Sequence, residues 1–221
     1  VQTRSVPYWD SQAELFRLLA DSVWYESVDG LHWGGSEKQF ESADDTPAYH
    51  LFYDKKDPDS ERLYKGFSMH TVNQETGKVV HDDSEIVDPQ GKPWPGKKFE
   101  MILDFVVSPN GYDWRRLDCS MPSSDEQNLS YDPLGNQFIV SFKRGGTYGR
   151  SHAITTSPDF ESWTEPVLAI QSDDLDQELG RLHIKELLQT PNADYLRPFP
   201  NTAAWQWQNV DIYNAGGFRY E

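Results

Sequence analysis

Two aspartates, Asp125 and Asp211, are the residues of this sequence best suited to acid–base chemistry. Hydrolysis of a glycosidic bond uses two carboxyl groups that flank the bond, separated by roughly 5–5.5 Å or 6.5–9.5 Å according to the stereochemical outcome. Each aspartate stands just before or within a predicted first strand of a repeated unit, so both are candidate catalytic residues. Glu126 is an alternative to Asp125, because neighbouring residues of a strand face opposite sides. A cap or a solvated loop carboxylate is the competing interpretation of both aspartates.

Five further residues are candidates for binding a substrate: His50, Arg150, Trp205, Trp207 and Asn214. Arg150 follows a glycine-rich turn, where a fixed guanidinium can hold a carboxylate or sulfate, or can pair with an acidic residue of the chain. The two tryptophans lie on one side of an extended segment, suited to stacking on sugar rings or to packing between sheets. His50 suits a hydrogen bond to a substrate or a central ion, or a satisfied place in the core.

The composition narrows the classes of partner and cofactor. The 221 residues include 20 Lys and Arg against 36 Asp and Glu, and the formal net charge of −16 argues against nucleic acid and anionic membranes as partners. The longest apolar runs fall far short of the ~18–20 residues of a transmembrane helix. With Cys119 as the only cysteine, we expect no internal disulfide, no zinc and no other cofactor. The aspartates at 82–83 and 173–176 lack the spacing that would support a structural calcium ion.

A short motif occurs three times and predicts the same turn each time. It consists of Ser, any residue, Asp or Asn, then Gly or Phe, two more residues and Trp, and it begins at Ser27, Ser108 and Ser157. Ser and Asp or Asn bond to the backbone of a tight turn, Gly supplies a positive φ, and Trp packs back between sheets. We therefore expect Trp33, Trp114 and Trp163 to occupy equivalent places.

An aromatic residue followed by Asp precedes each turn motif. The pairs stand at 9–10, 53–54 and 131–132, and each is followed by a polar turn and another aromatic strand. The unit is then strand, turn, strand, loop, strand, Trp turn and strand, and four antiparallel strands make one blade of a β-propeller. We predict an all-β chain that forms a single domain over 1–221, with blades at about 4–44, 46–122 and 125–171 and a fourth beginning at about 209.

The turn motifs resemble the Asp-box-type turns of the five-bladed β-propellers in the glycoside hydrolase family 43, family 32 and sialidase-like group. The most similar stretch runs from Asp125 to Trp163, and residues 213–221, with Asn214, look like the opening strand of the next blade. The resemblance implies a five-bladed propeller with about three and a third blades present, which suggests a fragment. In these families an acidic residue stands at the position of Asp125, so the resemblance supports a role for it. The resemblance also favours a secreted or periplasmic location, since proteins of these families are often exported.

Two segments have a helical pattern. Residues 11–20 begin with a capping serine and place apolar residues at helical spacing, but the alignment of the repeats favours a strand there. In residues 173–189, Leu175, Leu179 and Leu182 recur on one side after a predicted cap at Ser172. Acidic residues suited to a helix N-terminus follow this cap, so we predict one short helix.

The Trp turns mark one end of each predicted blade, so we expect a ligand at the opposite end, where the first strands begin. The long segments 70–98 and 172–208 fall at that end too. We therefore expect a glycoside hydrolase-like protein that acts on a poly- or oligosaccharide by acid/base hydrolysis in the propeller funnel. The alternative is a non-catalytic propeller that binds carbohydrate or a protein. A sialidase would need converging arginines, and Arg4, Arg150 and Arg219 are too scattered; the oligomeric state stays open.

Overall fold

The computed structural model of the chain consists of three antiparallel sheets and one helix. It describes residues 7–11, 13–20, 23–39, 49–80, 85–87, 96, 98–187, 189 and 210–217. Sheet I contains β1 (Tyr8–Asp10), β2 (Leu15–Ala20), β3 (Val23–Ser27) and β4 (Gly34–Gln39). Sheet II contains β5 (Tyr49–Tyr53), β6 (Tyr64–Asn73), β7 (Val79–Val80), β8 (Phe99–Ser108) and β9 (Arg115–Ser123). Sheet III contains β10 (Gln127–Asp132), β11 (Gln137–Gly146), β12 (Gly149–Ser157) and β13 (Val167–Ile170).

Each sheet is a meander in which neighbouring strands follow one another along the chain. The order is β1-β2-β3-β4 in sheet I, β5-β6-β8-β9 in sheet II and β10-β11-β12-β13 in sheet III, with β7 paired to β6 beside the main order. The prediction of a mostly β chain built from successive antiparallel sheets is confirmed, with four strands in sheets I and III and a fifth, β7, in sheet II. The strand prediction for residues 15–20 is confirmed too, because β2 pairs with β1 on one side and with β3 on the other.

The aromatic–Asp pairs end the first strand of each sheet. Asp10 Oδ1 accepts from the Ala13 N–H at 3.1 Å, and Asp54 Oδ1 accepts from the Lys56 N–H at 3.1 Å. Asp132 Oδ1 likewise accepts from the N–H two residues on, at 3.0 Å. These side chains satisfy turn N–H groups that the sheet leaves without partners, which explains why Asp stands at each of these turns.

The three Trp turns follow the third strand of each sheet, as predicted. In the first turn, Ser27 Oγ accepts from the Gly30 N–H at 2.9 Å, and Asp29 Oδ1 accepts from two backbone N–H groups at 2.8 Å. Trp33 Nε1 donates to the Gly30 carbonyl oxygen at 3.2 Å. Local bonds from the motif residues therefore fix the whole turn.

The second turn repeats these bonds. The third turn repeats those of its aspartate, since Asp159 Oδ1 accepts from the Glu161 and Ser162 N–H groups, but Trp163 Nε1 is buried and has no hydrogen-bond partner among the described residues. Trp114 Nε1 donates to the Gly111 carbonyl oxygen at 3.0 Å, as in the first turn. The third turn has Phe160, at φ 65°, where the others have Gly30 and Gly111 at φ 72° and 78°. A side chain in this region costs roughly 1–2 kcal/mol. Phe160 is fully buried, so its packing offsets that cost.

Apolar side chains fill the two spaces between the sheets. Between sheets II and III, Phe105 of β8 stacks on Trp163 at a centroid distance of 4.4 Å and an angle of 18°. Between sheets I and II, Trp24 of β3 packs on Tyr64 and donates from Nε1 to the Gly111 carbonyl oxygen at 2.9 Å. Each of these contacts joins a third strand to the next sheet along the chain.

The helix α1 (Asp174–Leu187) confirms the helix predicted near 173–189. The predicted cap at Ser172 is wrong, since Asp173 Oδ1 accepts from the Asp176 N–H and Asp176 Oδ2 accepts from the Asp173 N–H, both at 3.0 Å. Ser172 instead donates from Oγ to the Val210 carbonyl oxygen at 2.7 Å. The leucines of the predicted stripe are half exposed, at 60%, 54% and 51% for positions 175, 179 and 182. In the described part of the chain, α1 is too short and too polar to cross a bilayer.

Residues 210–217, where the sequence predicts the first strand of a fourth blade, run without an assigned strand. They lie across the side of sheet III that faces away from sheet II. Ile212 donates its backbone N–H to the Arg150 carbonyl oxygen at 2.9 Å. Val210 exchanges two hydrogen bonds with the Gln177 side chain, at 2.7 and 2.9 Å, which ties this segment to α1.

Candidate functional site

The two sides of sheet III differ in polarity because its strands alternate. Leu129, Val140 and Phe142 face sheet II and belong to or pack against its core cluster. On the other side, Asn128 stands opposite Ser141, and Lys143 opposite His152. This polar side is the one that residues 210–217 cover.

Polar side chains of sheet III hold this segment by its carbonyl oxygens. Ser141 Oγ donates to the Ala215 oxygen at 2.6 Å, and Asn128 Nδ2 donates to the same oxygen at 3.0 Å. His152 Nε2 lies 3.3 Å from the Tyr213 oxygen. These bonds satisfy backbone groups that would otherwise need water or a strand partner, so they fix the position of Tyr213.

Five residues form a connected cluster at this place, which we call the Tyr213 cluster: Asp125, Lys143, Arg150, Asp211 and Tyr213. Lys143 Nζ lies 2.5 Å from Asp125 Oδ1 and 4.1 Å from the centroid of the Tyr213 ring. Arg150 Cζ lies 5.0 Å from the same centroid, and Arg150 Nε lies 3.4 Å from Asp211 Oδ2. Both cations are within the range of cation–π attraction. One aromatic ring therefore lies between two ion pairs.

The cluster combines a buried ammonium with exposed groups. The Lys143 side chain is 6% exposed, whereas those of Asp125 and Arg150 are 52% and 49% exposed, and Tyr213 is 53% exposed. Burial raises the pKa of Asp125, but the hydrogen bond and charge of Lys143 outweigh it, so this pKa lies below its ordinary value. Asp125 is therefore a carboxylate at neutral pH, with its negative charge open to solvent.

Gly149 allows Asp211 to approach Arg150. Its φ of +123° suits glycine, and a Cβ at this position would lie 3.2 Å from Asp211 Oδ2. The Arg150 N–H donates to the same carboxylate oxygen at 3.4 Å. A side chain at 149 would therefore push Asp211 away from its partner.

The predicted site residues fall into two groups. Asp125 and Asp211 stand at the two ends of the cluster, each beside its own cation, and Arg150 is the partner of Asp211. Asn214 lies next to the cluster and donates from Nδ2 to Glu126 Oε2 at 3.3 Å. Outside the described residues lie Trp205 and Trp207 and the side chain of His50, whose backbone belongs to β5.

Sequence reasoning did not single out Lys143 and Tyr213. Strand alternation could have indicated Lys143, since a lysine at the end of an apolar strand, two residues after Ser141, falls on the polar side. Nothing local indicates that Tyr213 would lie over it.

The described residues contain no group of three or more His, Cys, Asp or Glu side chains arranged to hold a metal ion. The cluster instead offers paired hydrogen-bond donors and acceptors around an aromatic ring, a combination suited to a polar, uncharged ligand. No protein-family model matches the chain, and no curated protein sequence matches it.

Proposed function

We propose that the three sheets are consecutive blades of a five-bladed type of β-propeller, and that the chain binds carbohydrate at the Tyr213 cluster. Support for the blade arrangement comes from one position on each third strand, three residues before the serine of the turn. At this position Trp24 contacts Gly111 of the next sheet, and Phe105 stacks on Trp163 of the next. Ile154 holds the position in sheet III, and a Cβ on Gly217 would lie 3.6 Å from its Cδ1. Residues 210–217 thus occupy the place that a following blade would take.

The observation that carries the functional proposal is the two ion pairs around Tyr213, each of which has one half-exposed member, Asp125 in one and Arg150 in the other. The exposed Asp125 carboxylate accepts hydrogen bonds and the exposed Arg150 guanidinium donates them, so together they match the hydroxyls of a sugar, which do both. The half-exposed Tyr213 ring adds an apolar surface with a polar tip. The two cations balance the two carboxylates, which favours a neutral saccharide over an acidic one.

Binding is favoured over hydrolysis because a glycosidase needs one protonated and one ionised carboxyl group. Asp125 is held ionised by Lys143, and Asp211 has Arg150 beside it. Hydrolysis is the second candidate function, and the position of Glu126 beside Asp125 is the observation that favours it. Glu126 is 3% exposed and directly follows Asp125 in the sequence, so it is a second carboxyl group close to the cluster.

The binding proposal is tested by screening the purified chain on an array of neutral and acidic oligosaccharides and measuring the hits by calorimetry. Hydrogen bonds to charged groups contribute about 1.5–3 kcal/mol, so we expect Arg150→Ala to weaken binding roughly tenfold or more. Arg144→Ala is the matched control, because Arg144 is exposed on the same sheet and stands outside the cluster. Asp211→Asn keeps the shape of the site and should also weaken binding.

Equal affinity of the Arg150→Ala and Arg144→Ala variants would contradict this site, and a chain that binds no glycan would contradict the function. Hydrolysis is tested by release of reducing ends from the saccharides that bind. If they are cleaved, Asp125→Asn, Asp211→Asn and Glu126→Gln identify the carboxyl groups involved. Cleavage that survives all three substitutions would exclude these residues as the catalytic groups.

A further inference from the structure

A cleft lies at the opposite end of the sheets from the Tyr213 cluster. Its volume is about 310 Å³, near the lower limit of small-ligand pockets. It is bounded by the loop between β5 and β6, by the turn between β10 and β11 and by the third Trp turn. The lining residues that matter here are Asp54, Asp57, Arg62, Tyr131, Asn136 and Asp159. We call it the turn-side cleft.

One wall of the turn-side cleft is aromatic and firmly packed. Tyr131 contacts Phe52 and Phe138 at centroid distances of 5.1 and 5.0 Å, and Phe138 is 3% exposed. The Tyr131 hydroxyl donates to Asn136 Oδ1 at 2.7 Å, which fixes the ring from its polar end. A fixed ring of this kind offers a flat apolar surface to a small ligand.

The charges of the cleft are largely neutralised within the protein. Lys65 Nζ, completely buried behind the cleft, lies 2.6 Å from Asp57 Oδ2 and 3.1 Å from Asp54 Oδ2. Asp159 Oδ1 accepts from two backbone N–H groups at 2.9 and 2.7 Å, and Oδ2 accepts from Ser162 Oγ at 2.9 Å. Because these carboxylates already have partners, they offer no free ligand set to a metal cation, and the neutralised charge favours an uncharged ligand.

Hydrogen-bonding capacity nevertheless remains at the surface of the cleft. Arg62 offers little of it, because Nη1 pairs with Glu161, Nη2 donates to the Asp159 carbonyl oxygen at 2.6 Å, and Nε is buried 3.6 Å from Asp57 Oδ2. Asn136 uses its amide oxygen for Tyr131 and keeps its two amide hydrogens for another acceptor. The Asn136 side chain is exposed, so a bound hydroxyl oxygen can accept a hydrogen bond from its amide.

We infer that the turn-side cleft is a second binding site, for a neutral mono- or disaccharide, separate from the Tyr213 cluster. The ligand class rests on the proposed function, but the site rests on its own geometry. The saccharide would stack on Tyr131 and place a hydroxyl oxygen near the Asn136 amide. A chain with two such sites at opposite ends could hold two strands of a polysaccharide, or two parts of one.

The test uses the full chain labelled with ¹⁵N and titrated with glucose, galactose, xylose, arabinose, cellobiose, maltose and lactose. We expect at least one saccharide to shift the amide signals of residues 54–62, 131–136 and 158–162. Asn136→Gly removes the amide but suits the left-handed backbone, since Asn136 has φ 50°. The loss of one hydrogen bond to the saccharide, together with the loss of the bond that holds the Tyr131 hydroxyl, should weaken binding by at least about threefold. Leu134→Ala, in the same turn but outside the cleft, is the matched control and should bind as the unaltered chain does.

The outcomes separate the two sites. Shifts at the cleft that Asn136→Gly weakens and Arg150→Ala leaves unchanged would establish the second site, even if the Tyr213 cluster binds nothing. Shifts only at residues 210–217 and 125–128 would overturn the second site and leave the proposed function standing. An Asn136→Gly variant that binds as tightly as the Leu134→Ala control would also overturn it. No shift anywhere with any of the seven saccharides would overturn the second site, and the oligosaccharide array would then decide the function alone.

Discussion

Replacing Gly111 with alanine should destabilise the chain strongly, because Gly111 meets two separate requirements. Its φ of +78° costs an alanine roughly 1–2 kcal/mol. The added Cβ would also lie 2.7 Å from Trp24 Cζ2, a side chain that is 3% exposed and bonded to the Gly111 carbonyl oxygen. Overpacking of this kind costs about 1–3 kcal/mol. We therefore expect Gly111→Ala to lower the free energy of unfolding by about 2–5 kcal/mol.

The assay is urea unfolding followed by tryptophan fluorescence, with Gly77→Ala as the matched control. Gly77 has a similar φ of +69° but no heavy atom within 4 Å of the added Cβ, so only the backbone cost of roughly 1–2 kcal/mol applies. The combination Trp24→Phe with Gly111→Ala should be less destabilising than the sum of the two single changes, because the smaller ring relieves the overlap. If Gly111→Ala is no more destabilising than Gly77→Ala, the contact between sheets I and II is not as described.

Three further predictions concern a buried ammonium group, a hydrogen-bonded carboxylate and a partly buried thiol. Lys65→Met should lower the free energy of unfolding by about 3–5 kcal/mol, since it leaves Asp57, whose side chain is only 9% exposed, without its buried ammonium partner. Lys56→Met, at an exposed residue, should change it by less than about 0.5 kcal/mol, and equal effects of the two substitutions in urea unfolding would refute this. Burial raises the pKa of Asp159, but backbone hydrogen bonds from Ser162 and Glu161 outweigh it and lower this pKa to about 2. Its contribution to stability is therefore complete above the unfolded-state pKa near 3.8 and is lost as the pH falls through about 2. Asp159→Asn, which resembles the second turn with Asn110, should flatten that acid dependence, and an unchanged acid midpoint would contradict it. Burial, with Glu161 and Asp159 nearby, raises the pKa of Cys119 to about 11. Alkylation of Cys119 by iodoacetamide at neutral pH should then be on the order of a hundredfold slower than alkylation of an ordinary thiol, and its rate should increase with pH until the pH reaches this pKa. Fast labelling of the folded chain at neutral pH would contradict this prediction.

Local chemistry is what made the repeated units predictable. Ser27 and Asp29 bond to backbone groups only two or three residues away, so their types and spacing specify the turn before any tertiary contact forms. The same holds for the aspartates that end the first strands. For residues 15–20, whose local pattern fits a helix as well as a strand, the alignment of the repeats predicts the strand correctly. The local sequence does not show which residue caps α1, because the Ser172 hydroxyl instead donates to the carbonyl oxygen of Val210, which is 38 residues away.

The site was less predictable because its contacts join distant parts of the chain. Asn128 and Asn214 are 86 residues apart, and no period in the sequence relates them. Asp125 and Asp211 were singled out from their places at the starts of strands, but the cation beside each is known only from the folded chain. The leucine stripe of α1 predicted the helix correctly, yet a helical period alone does not say which side is covered. Whether the Tyr213 cluster binds or cleaves a sugar stays a prediction.

The most direct measurement is amide hydrogen exchange of the chain with and without the oligosaccharide that binds most tightly on the array. We expect slower exchange in residues 210–217 and 125–128 on binding, with no change in the two turns at 27–33 and 108–114. A tightly bound saccharide that leaves the exchange of residues 210–217 unaltered would show that ligands do not bind over the polar side of sheet III.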